Sequence, residues 1–218
     1  MEKLDYKKAY KDLYLPKTTP MIIEVPRMSY VTVKGKGNPN EEGGEYQHAL
    51  QILYGISFTI KMSKLSKQPL DGYFDYVVPP LEGFWWMDGY EMPDFLHKDN
   101  FSWISMIRLP EFVNKEVFDW ACTSYHEKHP EVDVSNTTYM EVEEGLCVQI
   151  MHKGSYDDEP ASVEKMHSYI EEQGYALDFH SKMATGQNRM HHEIYLCDPR
   201  KCKPENLKTV IRHPIKKR

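Results

Sequence analysis

Residues 144–175 read EGLCVQIMHKGSYDDEPASVEKMHSYIEEQGY, and their pattern predicts a strand, a loop and a helix in succession. Along LCVQIMH the side chains alternate between two faces, with Leu146, Val148 and Ile150 on one of them. This alternation predicts a strand. A polar loop follows, and Ser162 is expected to cap the next helix. The apolar residues of that helix recur at helical spacing and are Val163, Met166, Tyr169 and Ile170.

The same order of strand, loop and helix occurs earlier, at residues 30–60, where a helix is predicted over residues 45–62. After each helix the chain reaches a strand of the form apolar-Ile-Arg-x-Pro, ending at Pro110 and at Pro214. The order strand, helix, strand, strand therefore fits both halves of the chain. We predict one α+β domain over residues 1–218, duplicated as residues 21–112 and 113–216.

Other elements follow from local pattern and from turn residues. Further strands are predicted at residues 73–78, 81–87, 101–109, 175–179, 191–197 and 207–215, and a helix at residues 114–127. A strand at residues 138–142 is expected to fold back onto the strand that follows Gly145.

Composition excludes several classes of function. The chain has 218 residues, is 40% hydrophobic and carries a net charge of −6 without a basic stripe, which argues against nucleic acid as a partner. No apolar run approaches membrane-spanning length, so no membrane partner is expected. Four cysteines in a chain of this size fit a cytoplasmic protein with free thiols.

Two strands carry candidate acids. Alternation places Glu193 with Tyr195 and, on the earlier strand, Glu82 with Phe84 and Trp86. If helices cover the aliphatic face of residues 191–197, Glu193 and Tyr195 face the enclosed space. A poorly solvated carboxylate can act as a general base or bind an organic cation. The alternative is a carboxylate at a sheet edge, paired with an arginine.

Aromatic residues are concentrated around residues 84–103. Trp85 and Trp86 are neighbours on a strand, so only one can point into the core under the helices and the other faces a groove, a partner or solvent. Indole rings bind flat or cationic ligands, although packing at a sheet edge is the alternative. The histidine and cysteine spacings fit no metal site, and no phosphate loop occurs, so neither a metal nor a cofactor is expected.

Three strings carry a family resemblance: residues 144–160, HEIYL at 192–196 and LEGFWW at 81–86. They are similar to the GyrI-like small-molecule-binding proteins of bacteria, in the branch without a DNA-binding domain. That resemblance implies a SOUL/GyrI-like fold, with antiparallel sheets, helices on one side, a pseudo-twofold axis and a central ligand groove. It implies Glu193, Glu82 and Tyr195 as catalytic residues. The lining aromatic residues that it implies by position are Trp85, Trp103, Tyr139 and Tyr195. Together with residues of the aromatic group and of the first string, the predicted ligand-binding residues are Trp85, Trp86, Phe101, Trp103, Tyr139 and Tyr156.

Some proteins of this branch hydrolyse the reactive cyclopropane of DNA-alkylating antibiotics of the yatakemycin type. The resemblance therefore implies a detoxifying hydrolase, in which Glu193 or Glu82 orients a water and Tyr195 or Tyr139 hydrogen-bonds the dienone oxygen. Two alternatives stay open: binding of flat or cationic drugs without turnover, and an effector-type sensor or inhibitor of another protein. The expected partner is a small aromatic molecule, and a monomer is the simplest expectation.

Overall fold

The computed structural model describes residues 3–66, 70–90, 92, 97–179, 181–199 and 201–218. Its α-helices are α1 (Tyr6–Ala9), α2 (Lys11–Tyr14), α3 (Glu45–Met62), α4 (Lys115–Lys128) and α5 (Glu159–Glu172). Its strands are β1 (Met21–Val25), β2 (Met28–Lys36), β3 (Leu81–Trp86), β4 (Ser102–Arg108), β5 (Thr137–Val142), β6 (Gly145–Lys153), β7 (Tyr175–Leu177), β8 (His191–Tyr195) and β9 (Lys208–Lys217). Short 3-10 turns cover Ser63–Leu65, Lys98–Asn100, Tyr156–Asp158 and Pro204–Asn206.

The strands form an antiparallel sheet in the order β1-β6-β9-β8-β3-β4-β2-β5, and β7 pairs with the end of β9. Only residues 26–27 separate β1 from β2, and only residues 143–144 separate β5 from β6. The two ends of the strand order therefore lie next to each other, and the sheet closes into a barrel. One apolar cluster fills the interior, with residues from β1 to β6 and from β8 and β9.

The duplicated order predicted from the sequence is present. β2, α3, β3 and β4 follow one another in the first part of the chain, and β6, α5, β8 and β9 occur in the same order in the second, with the short strand β7 between α5 and β8. The two sets meet where β3 pairs with β8, with Gly83 opposite Glu193. The prediction of an α+β fold from duplicated units is confirmed, while the limits of the two halves stay a prediction.

The strand predicted at residues 138–142 does not fold back onto its successor, so this prediction is wrong. β5 pairs with β2, with Tyr139 opposite Val31, whereas β6 pairs with β1. The reason is that β1 continues almost directly into β2. β5 and β6 likewise continue into each other, so they pair along β2 and β1 and not with each other. The bend is at Gly145, whose φ of +65° favours glycine.

Helices α3 and α5 pack on the outer face of the barrel. α3 has the predicted limits, and its apolar residues Ala49, Ile52, Leu53 and Ile56, which recur at helical spacing, are buried. α5 begins at Glu159 and not after Ser162, so the predicted cap is wrong. Pro160 suits the first turn because no helical donor is needed there, and the Ser162 hydroxyl lies 2.9 Å from Nδ1 of His152. No helix within the described ranges is both long and apolar enough to cross a bilayer.

Alternation along β8 is as predicted, but the helices cover the other face of the strand. His192 and Ile194 point into the barrel, where the His192 ring lies 4.6 Å from that of Phe84 between centroids. Glu193 and Tyr195 therefore lie on the outer face, and Tyr195 packs against the α3 side. The condition considered in the sequence analysis, that helices cover the aliphatic face, is not met because the closed barrel interior takes those residues instead.

Residues 73–78 do not form the predicted strand. Tyr76 makes an isolated bridge with Leu4, and the rings of Tyr73 and Phe74 pack on Phe112 at 5.2 and 5.3 Å between centroids. Two prolines follow at positions 79 and 80 and supply no backbone N–H groups, which limits pairing with a neighbouring strand. The segment therefore packs through its rings and not through a ladder of hydrogen bonds.

Candidate functional site

Aromatic and ionisable side chains gather between α3 and α5, on the outer face of the β3–β8 pair. We call this group the seam cluster, and its members are Trp85, Trp103, Glu159, His191, Glu193 and Tyr195. Three further rings, those of Tyr46, Phe101 and Tyr156, surround it. Buried carboxylates beside aromatic rings are typical of small-molecule sites.

Glu193 lies at the centre of the seam cluster and is 5% exposed. Its Oε1 is 2.8 Å from Nε2 of His191, which stands two residues earlier on the same face of β8. The other ring nitrogen of His191, Nδ1, is 2.7 Å from Nε2 of His213 on β9. Because both nitrogens of His191 are held, the imidazole fixes the orientation of the carboxylate. A carboxylate so placed can take a proton from a water molecule or face a cationic group.

Glu159, the first residue of α5, brings a second carboxyl group to the cluster. Its side chain is fully buried, and among the described residues neither of its oxygens has a hydrogen-bond partner of good geometry. Ligand atoms of Glu159, His191 and Glu193 all lie within 4.8 Å of one another. Burial, followed by the charge of Glu193, raises the pKa of Glu159 well above its ordinary value. The two carboxyl groups therefore offer one acid and one base.

Tyr195 supplies a hydroxyl group beside these carboxyl groups. The indole Nε1 of Trp85 donates a hydrogen bond to the Tyr195 hydroxyl oxygen at 2.8 Å. Trp85 can fold back in this way because Gly83 has no side chain: a Cβ there would lie 2.8 Å from that Nε1. Burial and the Glu193 carboxylate raise the pKa of Tyr195, so the hydroxyl keeps its proton and can donate it to a hydrogen bond.

The rings around the cluster form a wall on its α3 side. Tyr46 contacts both indoles, with centroid distances of 5.5 Å to Trp85 and 5.1 Å to Trp103, the latter edge-on. Phe101 lies 5.7 Å from Trp85, and Tyr156 lies 6.0 Å from Tyr195. Faces and edges of this kind bind flat aromatic or cationic groups.

Comparison with known families agrees with this arrangement. The model of the GyrI-like small molecule binding domain matches residues 18–216. The chain belongs to the GyrI-like family. The chain is therefore a small-molecule-binding protein, as the description of the family states. No curated protein matches the chain.

Several solved structures are similar to this chain. An uncharacterized conserved protein from Listeria innocua is 47% identical, with a TM-score of 0.89 over 98% of this chain and 100% of that one. A hydrolase from Listeria innocua is 46% identical, with a TM-score of 0.86 and the same coverage. The EcmrR C-terminal domain is 12% identical, with a TM-score of 0.54 over 92% of this chain and 98% of that one, and shares the fold alone.

The structure brings together most of the predicted site residues. Those in or around the seam cluster are Glu193, Tyr195, Trp85, Phe101, Trp103 and Tyr156. Glu82 is not among them, because alternation on β3 places it on the opposite face from Trp85, inside the barrel. There the hydroxyls of Tyr14 and Tyr30 donate to it at 3.3 Å, and Nε2 of His192 is 3.1 Å away. The expectation that both acids line one groove is therefore corrected.

Two predicted ligand-binding residues also lie elsewhere. Trp86 packs on the interior side of β3, with Nζ of Lys34 5.6 Å from its ring centroid. Tyr139 is on β5, four strands away from β8 in the sheet order, and its ring contacts Phe118 at 5.9 Å. Its hydroxyl lies 2.9 Å from the hydroxyl of Ser29. These contacts are with side chains outside the seam cluster.

Three residues of the site were missed from the sequence: Tyr46, Glu159 and His191. Glu159 stands four residues before Val163 and therefore shares its helical face, a signal that the expected later helix start concealed. His191 shares a strand face with Glu193 and could have been found by the same alternation. Tyr46 carries no signal of its own, because one aromatic residue in the first turn of α3 is ordinary.

The same cluster is the place where a metal ion would be considered. One imidazole and two carboxylates are ligand types that divalent transition metals accept. However, Nε2 of His191 is already hydrogen-bonded to Glu193 at 2.8 Å, and its Nδ1 lies 2.7 Å from His213. We interpret the cluster as an acid–base site and assign no cation to it.

Proposed function

We propose that this GyrI-like chain hydrolyses the reactive cyclopropane of flat aromatic DNA-alkylating compounds. Neighbours named hydrolases at 46% identity support a hydrolytic reaction. The seam cluster supports this substrate class because it combines aromatic walls with a buried carboxylate. The observation that carries the proposal is the Glu193–His191 contact of 2.8 Å beside the Tyr195 hydroxyl.

The reaction adds one water molecule to the substrate. The water oxygen forms a bond to a cyclopropane carbon, and the carbon–carbon bond of the strained ring breaks. Its electron pair moves into the conjugated dienone, which becomes an aromatic phenolate. The proton of the water passes to Glu193, which acts as the general base.

Two groups can stabilise the negative charge that develops on the dienone oxygen. Tyr195 keeps its proton because its pKa is raised by burial and by Glu193. Glu159 keeps its proton for the same two reasons, so its carboxyl can donate a hydrogen bond. Donors that are already oriented in a water-poor site are worth more than donors in water. Trp85 and Tyr46 hold the flat body of the substrate.

The test is incubation of the purified protein with a cyclopropane-bearing duocarmycin-type compound, followed by mass spectrometry. We expect the mass of one water to be gained over many turnovers. Glu193→Gln should lower turnover by at least about 100-fold, as loss of a general base does, while binding of the flat product persists. Glu82→Gln is the matched control, because Glu82 lies on the opposite face of the sheet. Equal turnover in wild type and Glu193→Gln would refute the assignment.

The alternative function is binding of aromatic cations without turnover. The observation that favours it is the presence of two carboxyl groups, Glu159 and Glu193, within a wall of rings. Such a site would sequester a drug stoichiometrically. Product that never exceeds one equivalent of protein, together with saturable binding of a cationic dye, would support this function over hydrolysis.

A further inference from the structure

Three histidines from three elements form a continuous line that begins at Glu193. Nε2 of His191 is 2.8 Å from Oε1 of Glu193, and Nδ1 of His191 is 2.7 Å from Nε2 of His213. Nδ1 of His213 is in turn 3.0 Å from Nε2 of His167 on α5. Each ring directs Nε2 toward the carboxylate, and the first two direct Nδ1 away from it. The contacts therefore run in one direction.

The line connects a buried group with the outer layer of the protein. His191 is 1% exposed and His213 is fully buried, whereas His167 on α5 is half-buried. The ring of Phe179, itself 8% exposed, packs on His213 at 5.1 Å between centroids. Such a path can carry a proton where water has no access.

We propose that His191, His213 and His167 form a path by which the proton taken up by Glu193 leaves the seam cluster. This role rests on the hydrolysis proposed above and deepens it. His191 contacts the base Glu193 directly, whereas His213 and His167 act through His191.

The proton balance of the reaction explains the need for such a path. Each turnover leaves the proton of the attacking water on Glu193, because the phenolate takes its own proton from solvent after release. Glu193 must lose that proton before it can activate the next water, and its side chain is 5% exposed. When each neutral ring carries its hydrogen on Nδ1, Nε2 of His191 accepts the proton from Glu193 and Nδ1 of His191 releases one to Nε2 of His213. His213 repeats the step toward His167, and the half-buried His167 releases a proton to solvent. The hydrogens return to Nδ1 before the next turnover.

The electrostatic surroundings of the middle ring fit this role. Burial, followed by His191 and His167, lowers the pKa of His213 well below its ordinary value. A neutral imidazole has one donor and one acceptor nitrogen, as a relay requires. Among the described residues, the rings that contact His213 are those of His191 on β8, His167 on α5 and Phe179, and the carboxyl groups of Glu193 and Glu159 lie beyond His191.

The kinetic test replaces His213 by glutamine, which keeps a donor and an acceptor but cannot exchange them. We expect kcat to fall about tenfold with KM unchanged, and added imidazole to restore part of the rate. His152→Gln is the matched control: His152 is 3% exposed and also contacts α5, through Ser162, but stands outside the line. A folded His213→Gln variant with wild-type kcat, or with a changed KM alone, would overturn the relay.

A second measurement works whether or not the hydrolysis proposal holds. In protein with ¹⁵N-labelled histidine, Glu193→Gln should shift the ring-nitrogen resonances of His191, His213 and His167 in decreasing order and leave His152 in place. Shifts confined to His191 would overturn the path. Loss of turnover in wild type with the ordered shifts present would place the failure in the proposed reaction and not in the line of histidines.

Discussion

Both faces of the β3–β8 pair have buried carboxyl groups near histidines, but the hydrogen-bond partners of these carboxyl groups differ between the faces. Inside the barrel, Glu144 accepts hydrogen bonds from Nδ1 of His192 and Nη1 of Arg212, each at 3.0 Å. On the outer face, Glu159 is equally buried, and neither of its oxygens has a partner of good geometry among the described residues. Neighbouring residues of one strand, His192 and Glu193, thus belong to different environments.

The electrostatics follow this difference. Burial alone would raise the pKa of Glu144, but the opposing effects of His192 and Arg212 are larger and bring it to about 2. Burial and Glu193 act together on Glu159, and its pKa rises. Glu144 is therefore favoured in its charged form by two cationic partners, whereas Glu159 is favoured in its neutral form beside the Glu193 carboxylate. This difference is why we propose the outer face as the reactive one.

The largest effect should come from breaking the interior pairs. Arg212→Met removes the hydrogen bonds to Glu144 and Gln149 and leaves both acceptors buried without this donor. We expect the free energy of unfolding to fall by about 3 to 5 kcal/mol, the usual result of removing one partner of a buried pair. Urea denaturation at pH 7 measures it. A loss below about 1 kcal/mol would mean that His192 and water replace the guanidinium.

The second prediction concerns pH, because the two acids act with opposite signs. The folded pKa of Glu144 is about 2 against 4.5 in the unfolded chain, so its contribution is present above pH 4.5 and is lost as pH falls toward 2. That contribution is about 3 kcal/mol at pH 7. The folded pKa of Glu159 is raised, so its contribution is present below pH 4.5 and is lost as pH rises.

Chemical denaturation at pH 7 and pH 3 of two matched variants separates these contributions. Glu144→Gln should destabilise the protein mainly at pH 7, and Glu159→Gln should stabilise it at pH 7 with little effect at pH 3. The same pH dependence in both variants would show that the two faces do not differ in the way described.

Most of the fold could be predicted because its signals are local. Alternation in LCVQIMH and the stripe of α3 each determine an element and its buried face, and the repeated order of elements reveals the duplication. The pairing of β5 with β2 could not be predicted, since it depends on how the sheet closes and not on the turn at Gly145. Which face of β8 the helices cover could not be predicted either, because it also depends on how the sheet closes.

The site could be predicted only in part. Glu193, Tyr195 and Trp85 follow from strand alternation, but Glu82 has the same local pattern and belongs to the interior network. What separates Glu82 from Glu193 is the antiparallel register that sets Gly83 opposite Glu193. That register is a long-range property, so no local reading distinguishes the two acids.

A smaller effect is expected at the aromatic wall. Trp85→Phe keeps a ring beside Tyr46 but removes the N–H group that donates to Tyr195 at 2.8 Å. We expect affinity for a flat aromatic probe to weaken about tenfold, equivalent to about 1.4 kcal/mol, through poorer stacking and a displaced Tyr195 hydroxyl. Fluorescence titration of a bound dye measures it. Unchanged affinity would remove Trp85 from the binding surface.

The smallest effect is expected one residue further along the same strand. Trp86→Phe changes an interior-side ring whose described cation contact is Lys34 at 5.6 Å, worth about 0.5 to 1 kcal/mol at an exposed site. The free energy of unfolding should fall by no more than that amount, and affinity for the aromatic probe should stay unchanged. The comparison with Trp85→Phe is sharp, because the same substitution at adjacent positions tests opposite faces of one strand. If Trp86→Phe weakened probe binding as much as Trp85→Phe, the ligand would have to reach both faces of β3, and the separation of a structural interior from a reactive outer face would fail.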